Sequence, residues 1–211
     1  MSAGGKAPIF YFGAMSPYSW FAAERIERLL PQARWRGVFA GAVFKQNDRS
    51  SWGLDERRDA GIADCEARAA EHGLGPIRWP EPWPTNDLLA ARAMAFCAHA
   101  DRADGVNDDA LVRSFGLAAM RLTFLEGIDI GERDAVLEAG RRSGIDERAL
   151  GDALQDQQVK DATRALTEQA VTAGVFGVPT VLVREQLFWG DDRLSNAAAA
   201  YGEAEDTGQQ P

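Results

Sequence analysis

Ser16-Pro17-Tyr18-Ser19 follows directly on the apolar run Ile9-Phe10-Tyr11-Phe12 and Gly13. Serine followed by proline is the pattern of a helix start: the hydroxyl oxygen accepts from a first-turn amide, and proline suits the position that needs no donor. The unpaired N–H groups and the dipole of such an end favour negative charge beside it. A serine hydroxyl cannot exchange disulfides. It can donate a hydrogen bond to the sulfur of a bound thiol, and the helix end can lower that thiol's pKa. An N-cap with no further purpose is the competing role for Ser16.

Two further segments could do chemistry. Gly174-Val175-Phe176-Gly177-Val178-Pro179-Thr180 leads into a β-branched run, where proline supplies no ladder donor. A cis peptide after Val178 would solve that geometry and present the Val178 backbone to a ligand; a trans proline opening a strand is the alternative. In Leu187-Phe188-Trp189-Gly190-Asp191-Asp192-Arg193-Leu194, Gly190 admits close approach and a helix start offers amides to a carboxylate. Asp192 can pair with an amine and Arg193 with a carboxylate, a mixture suited to a zwitterion. Acidic caps for a last helix are the plainer role.

Periodicity supplies the elements that must hold these segments. Ile9 to Phe12 reads as a buried strand, and Ala22, Ile26, Leu29 and Leu30 recur at helical spacing among charged residues until Pro31. Ala33 to Ala40, with Trp35, Val38 and Phe39, reads as a second strand ending at Gly41. From about Leu54 to Gly174 the pattern is helical, broken by the proline-rich connector from Gly75 to Pro84. Leu111, Phe115, Ala118, Leu122 and Leu125 predict one buried helix face, with Asn107-Asp108-Asp109 as its cap. Shorter helices are expected around Val136 and Leu150, and a long one from Val159 to Ala173. Thr180 to Val183 and Leu187 to Trp189 form a hairpin turned at Arg184-Glu185-Gln186, before an alanine-rich helix that frays from Gly202.

This order, strand–helix–strand, helical block, helix, antiparallel hairpin and helix, predicts the α/β class: a thioredoxin-like fold with a large all-helical insertion. Residues 1–53 and 159–211 would form the thioredoxin-like part and residues 54–158 the insertion. In that fold the proline loop lies beside the N-terminus of the first helix. A wholly helical protein with two stray strands fits the aromatic and β-branched runs at both ends less well.

Composition narrows the function classes. A net charge of −9 and a pI near 4.8 disfavour nucleic acid and anionic membranes. No apolar run reaches the roughly 18–20 residues of a membrane span, and no leader pattern opens the chain, so a soluble cytoplasmic protein is expected. Cys65 and Cys97 lie in alanine-rich helical stretches, form no metal-ligand spacing, and read as small buried hydrophobes. No metal is expected. His72 and His99 read as surface or packing histidines.

The three segments, with the helical block between the first and second, resemble the 2-hydroxychromene-2-carboxylate isomerases and kappa-class glutathione transferases of the DsbA-like thioredoxin superfamily. Gly41-Ala42-Val43-Phe44-Lys45, Pro84-Thr85-Asn86 and Glu126-Gly127-Ile128-Asp129-Ile130 extend the likeness over most of the chain. Arg121-Leu122-Thr123-Phe124 departs from it, with fewer aromatic residues. The resemblance implies an isomerase of aromatic acids like 2-hydroxychromene-2-carboxylate that uses glutathione or another low-molecular-weight thiol. It places the thiol on Ser16 and the cysteinyl part on the Val178 backbone beside cis Pro179. Asp191, Asp192 and Arg193 would hold the γ-glutamyl end and Arg57 the glycyl carboxylate, and Asn47 matches a family asparagine. The implied reaction is reversible thiol addition, bond rotation and elimination. Trp52, Trp79, Trp83 and Phe188 are candidates for an apolar wall, and a homodimer is implied. A kappa-type transferase or peroxidase and a non-catalytic thiol-binding module are the alternatives. With no cysteine at the helix start, a disulfide oxidoreductase is not expected.

Overall fold

The computed structural model describes residues 6–103 and 109–207, with the side chains of 101–103 and 203–207 left aside. Four strands form one sheet in the order β2-β1-β3-β4: β1 (Ile9–Phe12), β2 (Arg34–Gly37), β3 (Thr180–Val183) and β4 (Gln186–Trp189). β1 runs parallel to β2 and antiparallel to β3, and β3 and β4 make an antiparallel hairpin. The first crossover carries α1 (Pro17–Leu29), as a parallel pair requires. After β2 come α2 (Ala40–Gln46), α3 (Arg58–Glu71), α4 (Leu88–Ala103), α5 (Ala110–Glu126), α6 (Arg133–Arg142), α7 (Glu147–Ala153) and α8 (Gln157–Thr172); α9 (Leu194–Thr207) follows the hairpin. This is the thioredoxin-like fold with a helical insertion.

Strand alternation sets the layers. Phe10 and Phe12 point to one face, where with Trp35 they join a large core of α1, α4, α5, α6 and α9 residues. Tyr11 points to the other, packing with Val38, Val43, Ala170, Val175 and Val178 from the α2 and α8 side. The inserted helices and the sheet thus share one apolar core.

Several elements differ from the sequence expectation. The second strand is only four residues long, and Ala40 and Gly41, expected to be its end and turn, begin the helix Ala40–Gln46. On α5, Phe115 and Leu122 are buried as expected. Leu111, Ala118 and Leu125 sit at the margin, because the deepest face runs through Val112, Gly116, Ala119 and Thr123. The final helix continues through Gly202 to Thr207 rather than fraying there.

Asn107 and Asp108 lie outside the described residues, and Asp109 caps nothing with its side chain. Its buried carboxylate reaches back to β2 instead, accepting from Arg34 at 2.6 and 3.1 Å, from Arg36 at 3.0 Å and from the Trp35 amide at 3.1 Å. Burial alone would raise the Asp109 pKa, but the two guanidiniums overrule it and hold the carboxyl below its ordinary value. A carboxylate with a depressed folded pKa stabilises above its unfolded pKa and loses that contribution as pH falls through the folded one. Asp109→Asn is therefore expected to cost about 1.5–3 kcal/mol at pH 7. In urea denaturation the gap to the wild type should close towards pH 3.

Candidate functional site

Ser16 is the N-cap of α1, with Pro17 in the first turn. Its oxygen accepts from the Ser19 amide at 3.2 Å, and its hydroxyl donates to the Val178 carbonyl at 3.5 Å, across 162 positions of chain. The second distance is at the outer limit of a hydrogen bond, so the hydroxyl proton is held weakly and can turn to a better acceptor. Ser19 is buried and accepts from the Gly13 amide at 3.3 Å, which ties the loop to the helix it feeds. The Val178–Pro179 peptide is cis, the isomer implied by the family resemblance where the local pattern left both open. Helix start and proline loop, far apart in sequence, face each other.

A cleft of about 520 Å³ opens over this pair. Trp52 and Trp83 form one wall, their ring centroids 4.8 Å apart, and Trp79 braces Trp83 from outside the lining at 4.6 Å. Gly61 lets the Trp52 ring lie against α3, where a methyl group would come within 2.3 Å of it. The Trp83 indole N–H donates to the Met15 carbonyl at 3.3 Å, and Arg58 holds the Trp83 carbonyl, so the wall is tied to the Ser16 loop. Phe188 does not contribute: it is buried in the core, and Trp189, on the opposite face of β4, lines the cleft. Arg121-Leu122-Thr123-Phe124 stays away from the cleft; Arg121 forks onto Glu24 of α1 at 2.7 Å through two nitrogens.

The charged residues divide sharply. Asp191 is 1% exposed, and its carboxylate already accepts from Arg68 at 2.9 Å and from Arg25 at 3.3 Å, while Arg25 also donates to the His72 ring nitrogen at 2.8 Å. Asp191 is a structural hub at the cleft floor rather than a vacant acceptor, and His72 is drawn into that hub. Asp192 and Arg193 are exposed on the lining in the turn after Gly190. Gly190 has φ +109°, and any side chain there would meet Asp192 Oδ1 at 2.3 Å. Arg57 is on the rim, but its guanidinium is forked onto Asp55 at 2.9 and 2.5 Å. Asn47 does not line the cleft: its amide donates to Val43 at 2.8 Å and Val175 at 3.4 Å, pinning α2 to the proline loop.

Arg49 lines the cleft and was not among the residues picked from sequence. Its guanidinium lies 4.8 Å from the Trp189 ring and 5.3 Å from the Phe176 ring, and it makes no ion pair among the described residues. Two ring faces thus hold an uncompensated cation over the cleft. Tyr18, also on the lining, donates to Asp64 at 3.0 Å, and burial together with Cys65 and Asp64 raises its pKa, so it stays a neutral phenol. Cys65 and Cys97 are both buried, and burial pushes the Cys65 thiol up to about 12. Neither is at the α1 start. No group of metal-ligating side chains occurs among the described residues, and no described helix is long and apolar enough to cross a membrane.

A helix end, a cis-proline loop and a mixed-charge rim around one hydroxyl can stabilise a small anionic ligand and orient a peptide-like one. The family model for the DSBA-like thioredoxin domain matches residues 9–202. The 2-hydroxychromene-2-carboxylate isomerase of Sphingobium xenophagum is 26% identical over 199 residues, covering 88% of this chain and 92% of that protein. Among solved structures, a 2-hydroxychromene-2-carboxylate isomerase superposes with a TM-score of 0.76 at 21% identity, over 97% of this chain and 99% of the other. A probable DsbA oxidoreductase from Streptomyces coelicolor superposes with a TM-score of 0.72 at 17% identity, over 97% and 91%.

Proposed function

The chain belongs to the DSBA-like thioredoxin domain family, and from that premise we propose that it is a thiol-dependent isomerase, with glutathione as the thiol and a flat aromatic acid as substrate. The observation that carries the proposal is the Ser16 hydroxyl, weakly bonded to the Val178 carbonyl beside cis Pro179 at the base of the cleft, where no cysteine stands. Likeness at 26% identity to an isomerase that acts on 2-hydroxychromene-2-carboxylate supports the reaction class. A transferase would use the same thiol site, so the acceptor distinguishes the two.

The residues present fit a γ-glutamyl tripeptide. Ser16 and the first-turn amides of α1 would face its sulfur, the Val178 backbone its cysteinyl part, and Asp192 its amine. Arg193 and Arg49 would serve its two carboxylates. Bound glutathione would supply a nucleophilic sulfur whose reversible addition lets a conjugated double bond rotate. Ser16 contributes a hydroxyl proton to the negative sulfur, and the helix end contributes favourable potential. Trp52, Trp83 and Trp189 exclude water and offer flat faces to an aromatic substrate.

Calorimetric titration with glutathione, followed by an absorbance assay of 2-hydroxychromene-2-carboxylate isomerisation, tests the proposal. Binding without turnover of that acid, but with conjugation of a generic electrophile, would move the assignment to transferase. Absence of binding would remove it. For the carboxylate partner, Arg49→Ala is expected to weaken glutathione binding by about 10- to 100-fold, since it deletes a charge-assisted contact of an unpaired cation. Arg57→Ala, which breaks an exposed pair with Asp55, should change affinity by less than about 5-fold. The reverse order would restore the glycyl carboxylate to Arg57.

A further inference from the structure

Aspartate at a helix start ordinarily caps it, yet at the start of α4 the capping falls to Asn86, whose Oδ1 accepts from the Leu88 amide at 3.1 Å. The side chain of Asp87 turns inward. It is 1% exposed, and neither carboxyl oxygen completes a hydrogen bond. A methyl group placed on Gly13 would lie 3.2 Å from Asp87 Oδ2, 2.8 Å from the Ala40 side chain and 3.4 Å from the Val178 side chain. The acid therefore sits behind the loop that carries Ser16, at the same spot that Val178 reaches from the proline loop.

A buried, unsatisfied carboxyl in a native protein calls for an explanation. Burial pushes Asp87 up to about 7, a rise that the nearby amides of Met15, Asp87 itself, Ala14 and Ala40 only partly counter. The ionisable groups on the surrounding elements are directed elsewhere. On α4, Arg92 donates to the Leu154 carbonyl; at the α1 start, the Tyr18 hydroxyl donates to Asp64; on α2, Lys45 is exposed. Residues 13–16 and 175–178 bring no ionisable side chain. Among the described residues no cationic side chain pairs with Asp87.

We propose that Asp87 is the proton-holding partner of the thiol site: its carboxylate takes up a proton as a thiolate settles at Ser16, so that two negative charges never face each other across residues 13–15. The inference rests on the thiol reading above. The bond broken is the S–H of the ligand, the bond formed is the O–H of the carboxyl, and the charge of the complex equals that of its parts. Asp87 acts through the Ser16 loop and is a positioning residue. The linkage is reciprocal: a neutral Asp87 favours the thiolate, and the thiolate favours a neutral Asp87.

Titration of the protein with glutathione at pH 7.5, in two buffers of different ionisation enthalpy, counts the protons released per thiol bound. The wild type is expected to release about a quarter of a proton, because Asp87 absorbs most of it, and Asp87→Asn nearly one. The wild type gives a second readout: its release should rise towards one at pH 6, where Asp87 is already protonated. Release near one in both proteins at pH 7.5, with glutathione still bound, overturns this proposal and leaves the thiol site standing. No binding to the wild type overturns the thiol reading, and this one with it. Without ligand, an acid whose folded pKa is raised loses stabilisation as pH rises from its unfolded to its folded value. Wild-type stability should therefore fall between about pH 4 and 7 relative to Asp87→Asn in urea denaturation. Parallel curves would contradict a buried Asp87 that titrates near neutrality.

Discussion

Ser16→Ala is expected to lower turnover by about two to three orders of magnitude, the cost of removing a single preorganised donor from a developing or held anion. The same substitution removes the cap on the Ser19 amide and should cost the fold only about 1 kcal/mol. The two consequences separate the roles that Ser16 combines in the structure, where one oxygen accepts from Ser19 while its proton rests on Val178. A pure cap would lose the stability and keep the chemistry. Steady-state kinetics with saturating glutathione, beside a urea melt of each protein, gives both numbers. Unchanged kcat would reduce Ser16 to a helix-terminating residue and take the isomerase proposal with it.

Asp191→Ala is expected to destabilise the protein by about 2–4 kcal/mol, because it leaves the half-buried guanidiniums of Arg25 and Arg68 without the buried counter-charge they share. Arg25 donates to the His72 ring nitrogen at 2.8 Å and loses its carboxylate partner, whereas Arg68 keeps a second partner in Asp64 at 2.9 Å. The neighbouring exposed residue should behave in the opposite way: Asp192→Ala barely moves the melt and weakens glutathione binding. If Asp191→Ala melted like the wild type and only binding suffered, Asp191 would be a ligand contact after all. The sequence motif treats the two aspartates alike, and only their burial parts them.

Local signals made much of this molecule readable in advance. The strand-to-helix junction at Ser16 and the hairpin of β3 and β4 depend on turn chemistry and short-range pattern, whereas pattern alone left the Pro179 peptide open between cis and trans. What escaped depends on partners far away in the chain. Ala40–Gln46 contains Gly41, Val43 and Phe44, which are poor helix formers, and it is helical because Val43 packs into the core with Ala170. Asp109 has the local signature of a cap, but two arginines and an amide of β2 outbid the helix for its oxygens. Phe188 and Trp189 are adjacent and both aromatic, and sheet parity sends one inward and the other to the cleft, a choice fixed by the pairing of Phe188 with Val181. Arg49 needed the rings of Phe176 and Trp189 to become noticeable, and Asp87 needed its burial behind the Ser16 loop.

The burial of Cys65 and Cys97 has a practical corollary. Neither thiol of the polypeptide is open to solvent, and Cys65 is held as a neutral thiol far above physiological pH. In the native state the chain is therefore silent toward disulfide dyes and alkylating agents, and colour developed in such an assay counts small-molecule sulfur alone. Protection of one equivalent of thiol from the dye then measures occupancy of the cleft with no correction for the protein.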